Sequence, residues 1–322
     1  MKNKKRIISL LIIGALAIAM FAGCTNDNQS EQPEAEQTPA AEASPTPDPT
    51  PESTPEPAFD FNSNREIIVV SREDGSGTRG AFVELTGVQV SDGDTTTDMT
   101  SPEAVIGNGT NAIMTNVAGD TFAIGYISTG SVNDTIKTVK IDGVEPTPAN
   151  ILAGSYGIAR PFIIVTGNEL TPVAQDFVNF IMSREGQAVI ADSFVPVDSN
   201  APEFESNGAG GTVVVGGSTS VTPIMEKLRE AYLEINSGAQ IEVHGTGSGA
   251  GITGAIDGVV DIGMSSRDIR DAEREDLYEV ITIAMDGIAI IVNNDNPIDN
   301  LTVEQIRAIF TGETTRWSEV IG

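Results

Sequence analysis

A chain of 322 residues with a formal charge of −28 and a single histidine has room for about two domains and argues against a nucleic-acid partner, since a phosphate backbone would be repelled. Its single cysteine excludes an internal disulfide, and no Cys/His set of metal-ligand spacing is present. In chain order, Lys2, Lys4, Lys5 and Arg6 precede an uncharged apolar run from Ile7 to Phe21, closed by Ala22-Gly23-Cys24. Residues 1–23 therefore read as an export signal, too short and too soon interrupted for a good membrane span.

The small residues before Cys24 resemble a bacterial lipobox, although Phe21 stands where leucine is usual. Cys24 is thus expected to be lipidated, which places the protein outside the cytoplasm and anchored to the cell membrane. Residues 24–58, rich in Pro, Glu, Thr, Ala and Ser without basic or bulky apolar residues, cannot offset ordering entropy and read as a disordered tether. Extended like polyproline, it would reach about 100 Å.

The folded part alternates β-branched runs with helical patterns, as an α/β chain does. Ile67-Ile68-Val69-Val70 reads as a strand, Arg72-Glu73-Asp74-Gly75-Ser76-Gly77-Thr78 as a glycine loop, and Arg79 to Leu85 as the start of a helix. That loop combines a cation, a carboxylate and hydroxyls at a helix start, where free N–H groups and the helix dipole favour an anion.

The same unit recurs downstream. Val213-Val214-Val215 leads into Gly216-Gly217-Ser218-Thr219-Ser220, then a helix with Thr222 as N-cap, Pro223 as first residue and Ile224, Leu228, Tyr232 and Ile235 on one face. Ile241-Glu242-Val243 leads into Gly245-Thr246-Gly247-Ser248-Gly249 and a helix through Ile256, and a strand from Val259 to Met264 ends at Ser265-Ser266-Arg267. A single such loop is ordinary turn chemistry. Four strand ends bearing hydroxyls point to a ligand site at the carboxyl ends of strands, the usual position in open α/β sheets.

As a set, these segments resemble the PstS-type phosphate-binding proteins, the substrate-binding lipoproteins of phosphate ABC importers. Ala123-Ile124-Gly125-Tyr126, Glu185-Gly186-Gln187 and the run from Leu301 to Glu313 also fit that family. The resemblance implies a two-lobed α/β fold of the type II periplasmic-binding-protein class that binds inorganic phosphate outside the cytoplasm, docks on an ABC permease as a monomer and needs no cofactor. It further implies a phosphate site in which Thr219, Ser220, Ser248 and Ser266 line one lobe and Arg72, Asp74, Ser76, Gly77 and Thr78 the other. Arg72 would hold Asp74 and phosphate together, and Asp74 would reject sulfate by needing a proton to share. Some branches of the family carry Asp where Ser266 stands.

The segment order differs from the family's, where the segments like Gly217–Ser220 come first and Glu185-Gly186-Gln187 is near the end. Circular permutation is the simplest account, with residues 200–211 joining the old termini. One lobe would then be continuous (162–285) and the other built from 64–161 and 286–322. A cut end of a longer tandem chain at Gly322 is the alternative. Three other readings remain open: a sensing or adhesion lipoprotein of the same fold, a binder of another tetrahedral oxyanion, and a serine hydrolase. Against the hydrolase, neither glycine-serine loop matches a nucleophile elbow and His244 stands alone. Arg267 reads either as a ligand residue or as a salt bridge between lobes.

Overall fold

The computed structural model describes residues 61–92 and 95–321, so the signal 1–23, Cys24 and the tether 24–58 lie outside the described residues. The opening run forms β1 (Ile68–Arg72), and α1 (Gly77–Leu85) follows after the glycine loop. A hairpin of β2 (Gln89–Asp92) and β3 (Thr95–Asp98) stands apart from the main sheet. β4 (Val105–Gly107) and α2 (Thr110–Gly119) make a second strand-to-helix step, and β5 (Ala123–Ser128) is buried along its whole length.

Next come β6 (Lys137–Ile141), the short α3 (Pro148–Leu152) and β7 (Ala159–Thr166). Three elements then follow β7: α4 (Pro172–Ile181), α5 (Arg184–Ala191) and β8 (Val195–Pro196), the last paired with a long strand further on. β9 (Gly211–Gly217) leads to α6 (Thr222–Ile235), β10 (Ala239–Gly245) to α7 (Ser248–Ile256), and β11 (Ile262–Ser265) to α8 (Asp271–Arg274). The chain closes with the long β12 (Glu279–Val292), β13 (Asn300–Leu301), α9 (Val303–Thr311) and α10 (Ser318–Ile321).

The main sheet runs β10-β9-β11-β7-β12-β5-β1-β4, with β6 and β8 also on β12 and β13 on β6. β10, β9 and β11 are parallel, as are β5, β1 and β4, whereas β7 and β12 cross the centre antiparallel to their neighbours. A parallel strand needs a crossover to return, and the helices that follow β9, β10 and β1 supply it. Their starts therefore gather at the strand carboxyl ends.

Buried apolar side chains fall into clusters divided by the central strands. Phe82, Tyr126, Phe310 and Trp317 anchor one, with the rings of Phe82 and Tyr126 stacked 3.9 Å apart, while Phe162, Phe177, Phe180 and Tyr232 anchor another drawn from residues 162–284. Burial of a ring of this size stabilises by about 2–3 kcal/mol. The segment 200–211 is no loose connector: Ser206 and Asn207 donate to the buried Asp176, Arg184 N–H donates to the Pro202 carbonyl, and Phe204 packs edge-on against Phe180.

Three local expectations need correction. Helix α6 begins at Thr222 itself, whose hydroxyl turns back to donate to the Ser218 carbonyl, so Thr222 is the first helical residue rather than the cap. Ile235 ends that helix half exposed and leaves its apolar face to Ile224, Met225, Leu228 and Tyr232. The third downstream strand starts at Ile262, because the turn after α7 takes Val259, which is 72% exposed.

Candidate functional site

β1 carries Arg72 to the strand end, and the turn after it reaches α1 through Gly75 at φ +80°. Ser76 caps the helix by accepting from Arg79 N–H at 3.2 Å, which spends its oxygen on an otherwise unpaired N–H. Gly77 and Thr78 are buried at the first turn. Three hydroxyl-bearing strand ends meet this turn from the other side of the sheet.

Thr78 and Ser220 share a hydroxyl–hydroxyl hydrogen bond of 2.8 Å. Ser218 donates to Ser266 Oγ at 2.8 Å, and Ser266 N–H donates to Ser248 Oγ at 3.1 Å. Gly249 N–H donates to the Gly75 carbonyl at 3.0 Å. A Cβ on Gly77 would lie 2.8 Å from Ser266 Oγ and closer still to Ser248 Oγ, so only glycine lets the first turn of α1 approach this wall. At Gly217 the need is conformational as well: φ is +141° and a Cβ would strike the Met264 backbone.

Arg72 is 1% exposed. Its Nε and Nη2 fork onto the two Glu73 oxygens at 2.8 and 2.7 Å, and Nη2 also donates to Thr219 Oγ1 at 2.9 Å. Nη1 is buried without a protein partner. Burial works against ionisation of Glu73, but the Arg72 guanidinium and the Gly109 N–H at 3.0 Å outweigh it and hold the carboxyl below its usual range.

Arg72, Gly77, Thr78, Thr219, Ser220, Ser248 and Ser266 are thus brought together; Ser76 lies beside them with its hydroxyl turned to cap α1, and Asp74 is not part of the group. Its side chain is 99% exposed and pairs with Arg79 at 3.0 Å, outside the hydroxyl cluster. The expected Arg72–Asp74 pair is replaced by Arg72–Glu73, because the turn sends successive carboxylates to opposite sides and only Glu73 lies against the guanidinium. Nor does Arg267 bridge across the site: it forks onto Glu273, six residues on.

Two contributors were missed. Ser218 links the β9 and β11 walls through Ser266. Thr110, at the start of α2, lies 3.3 Å from Thr219 Oγ1, and Gly107-Asn108-Gly109-Thr110 is a further strand-glycine-hydroxyl-helix unit of the recurring kind. The site therefore offers hydroxyls, helix-start N–H groups and one free guanidinium N–H, which suits an anion with several acceptor oxygens. Among the described residues no cluster of three or more His, Cys, Asp or Glu could hold a metal ion.

The chain matches the family described as the PBP superfamily domain over residues 40–185 and 202–322. It is 40% identical over 325 aligned residues, 99% of each chain, to phosphate-binding protein PstS 2 of Streptococcus agalactiae serotype V. Against phosphate-binding protein PstS 2 of Streptococcus pneumoniae serotype 4 it is 42% identical over 255 residues, 79% of this chain and 87% of that one. The crystal structure of a phosphate-binding protein of a phosphate ABC transporter from Streptococcus pneumoniae TIGR4 superposes with a TM-score of 0.64 at 42% identity, covering 79% of this chain and 99% of that one. The extent of these matches and the periplasmic-binding-protein-like α/β fold agree: this chain belongs to the PstS phosphate-binding proteins of the PBP superfamily.

Proposed function

We propose that this protein binds inorganic phosphate outside the cytoplasm and delivers it to the permease of an ABC importer. One observation carries the reading: the buried Nη1 of Arg72 has no protein partner in a ring of hydroxyls and helix starts. A buried donor left unmatched costs about 1–3 kcal/mol, more when charged, and a tetrahedral oxyanion would match it.

The binding reading is favoured over hydrolysis by the hydroxyls themselves. Among the described residues, Thr78, Ser220, Ser248 and Ser266 side chains bond to one another, to Ser218 or to backbone, and none bonds to a histidine or carboxylate that could serve as base. His244 is more than half exposed and lies 3.8 Å from Glu242. Calorimetry with phosphate, arsenate, molybdate and sulfate tests the function. Arsenate should compete and sulfate should bind more weakly, because a protonated anion oxygen can donate to an acceptor of the site whereas sulfate carries no proton to offer. Absence of phosphate binding, or turnover of a phosphate ester, would overturn this reading.

The same reading includes lipid anchoring at Cys24, a monomer, and two lobes, 64–161 with 286–322 and 162–285, related to the usual family order by circular permutation. The division of the apolar clusters near β7 and β12 supports the lobes. Pairing of Ile67 N–H with the Thr315 carbonyl and Ser318 N–H with the Ser63 carbonyl supports joining the two ends. A chain opened within 200–211 and linked from Gly322 to Asn64 should fold and bind phosphate as tightly as the original. Failure to fold would argue against permutation.

A further inference from the structure

The central strands hold a buried ion pair. Arg160 on β7 is 2% exposed and Asp286 on β12 is fully buried. Arg160 Nε and Nη2 donate to Asp286 Oδ2 at 3.2 and 3.0 Å, Thr129 donates to Asp286 Oδ1 at 2.8 Å, and Arg160 Nη1 donates to the Ser266 carbonyl at 3.1 Å.

Such a pair is a costly way to join two strands. Apolar residues of similar volume are often as good or better for stability, whereas removing one partner strands a buried charge. Burial drives the Arg160 guanidinium and the Asp286 carboxyl toward their neutral forms, their mutual attraction opposes this, and the positive Arg72 adds a smaller push against the Arg160 charge. Two guanidiniums that repel each other through the protein become useful when an anion sits beside them.

We propose that Arg160 is a positioning residue of the anion site: braced by Asp286, it fixes the Ser266 carbonyl and so aims the Ser266 hydroxyl and N–H at the wall shared with Ser248 and Ser218. The residue whose carbonyl it holds is the one on which that wall turns, since Ser266 N–H binds Ser248 Oγ and Ser218 binds Ser266 Oγ. Arg160 thus brings a second buried guanidinium, neutralised by Asp286, behind the Ser266 wall of a site whose other guanidinium is Arg72. This inference rests on the proposed phosphate binding.

Three variants of the full chain test it: Arg160→Lys, Asp286→Asn, and the apolar double replacement Arg160→Met with Asp286→Leu. Thermal unfolding and calorimetric titration with inorganic phosphate are measured for each. Arg160→Lys keeps the charge but loses the fork, and its phosphate affinity should fall about tenfold or more, the size of one charged hydrogen bond. The double variant should recover the melting temperature of the parent while its affinity stays at least about tenfold down. Affinity that returns with the melting temperature, or an Arg160→Lys protein that binds like the parent, would make the pair purely structural and overturn the proposal. If the parent itself binds no phosphate, the functional reading fails instead.

Discussion

The two helix starts that face each other across the site are built in opposite ways. α1 begins with a side-chain cap, Ser76, one turn beyond a buried arginine, while α7 begins at Gly247 with φ +94° and no side-chain cap. The first wall thus brings charge and satisfies its own helix start. The second brings neutral hydroxyls, and its glycine-built entry leaves the Ser248 hydroxyl free to organise Ser266. Attraction for an anion is concentrated on one side and fit on the other, so damage to the two walls should differ in kind.

The largest effect should come from the charged wall. Arg72→Met removes the guanidinium whose Nη1 is unpaired and leaves Glu73 with only the Gly109 N–H, so phosphate affinity should fall by about 2–5 kcal/mol, or some 30-fold to several thousandfold. Arg72→Lys should recover only part of this, since one ammonium cannot hold Glu73, Thr219 and an anion with the same fork. Calorimetry on both variants measures it. Loss below about threefold for Arg72→Met would place the positive charge of the site elsewhere.

The next effect sharpens the contrast by steric means. Gly77→Ala puts a methyl group against Ser248 and Ser266, which must push the walls apart at a cost of about 1–3 kcal/mol. The expected result is a lower melting temperature together with phosphate binding weakened by about tenfold or more. Adding Ser248→Gly removes the tighter of the two clashes, that with Ser248, and leaves the one with Ser266; it restores no hydroxyl, so stability should return in part and further than affinity. Equal recovery of both would mean that Ser248 contributes only bulk.

Much of this contrast was readable from the chain itself. Glycines beside hydroxyl residues at strand ends mark the recurring unit: only glycine tolerates the turn at Gly217, and only glycine fits at Gly77. The partner of Arg72 was not readable. Glu73 and Asp74 are adjacent and equally charged, the resemblance pointed to Asp74, and what separates them is the N–H of Gly109, brought alongside by the pairing of β4 with β1. Arg160 and Asp286 were invisible for the same reason, being 126 residues apart and joined only by the register of β7 on β12.

The smallest effect is expected at the residue to which the resemblance gave the selectivity role. Asp74→Asn removes a carboxylate that is almost fully exposed and already paired with Arg79, which keeps Asp98 as a second partner at 2.7 Å. Exposed pairs of this kind contribute about 0–1 kcal/mol. Phosphate affinity should therefore change by less than about threefold, and the ratio of phosphate to sulfate affinity should stay the same within error. A large gain in sulfate binding would show that the turn swings Asp74 inward when the anion is bound, which would restore its part in selectivity and move one acceptor to the charged wall. An unchanged ratio takes Asp74 out of selectivity and leaves it an exposed partner of Arg79, so that the charged wall acts through Arg72 alone.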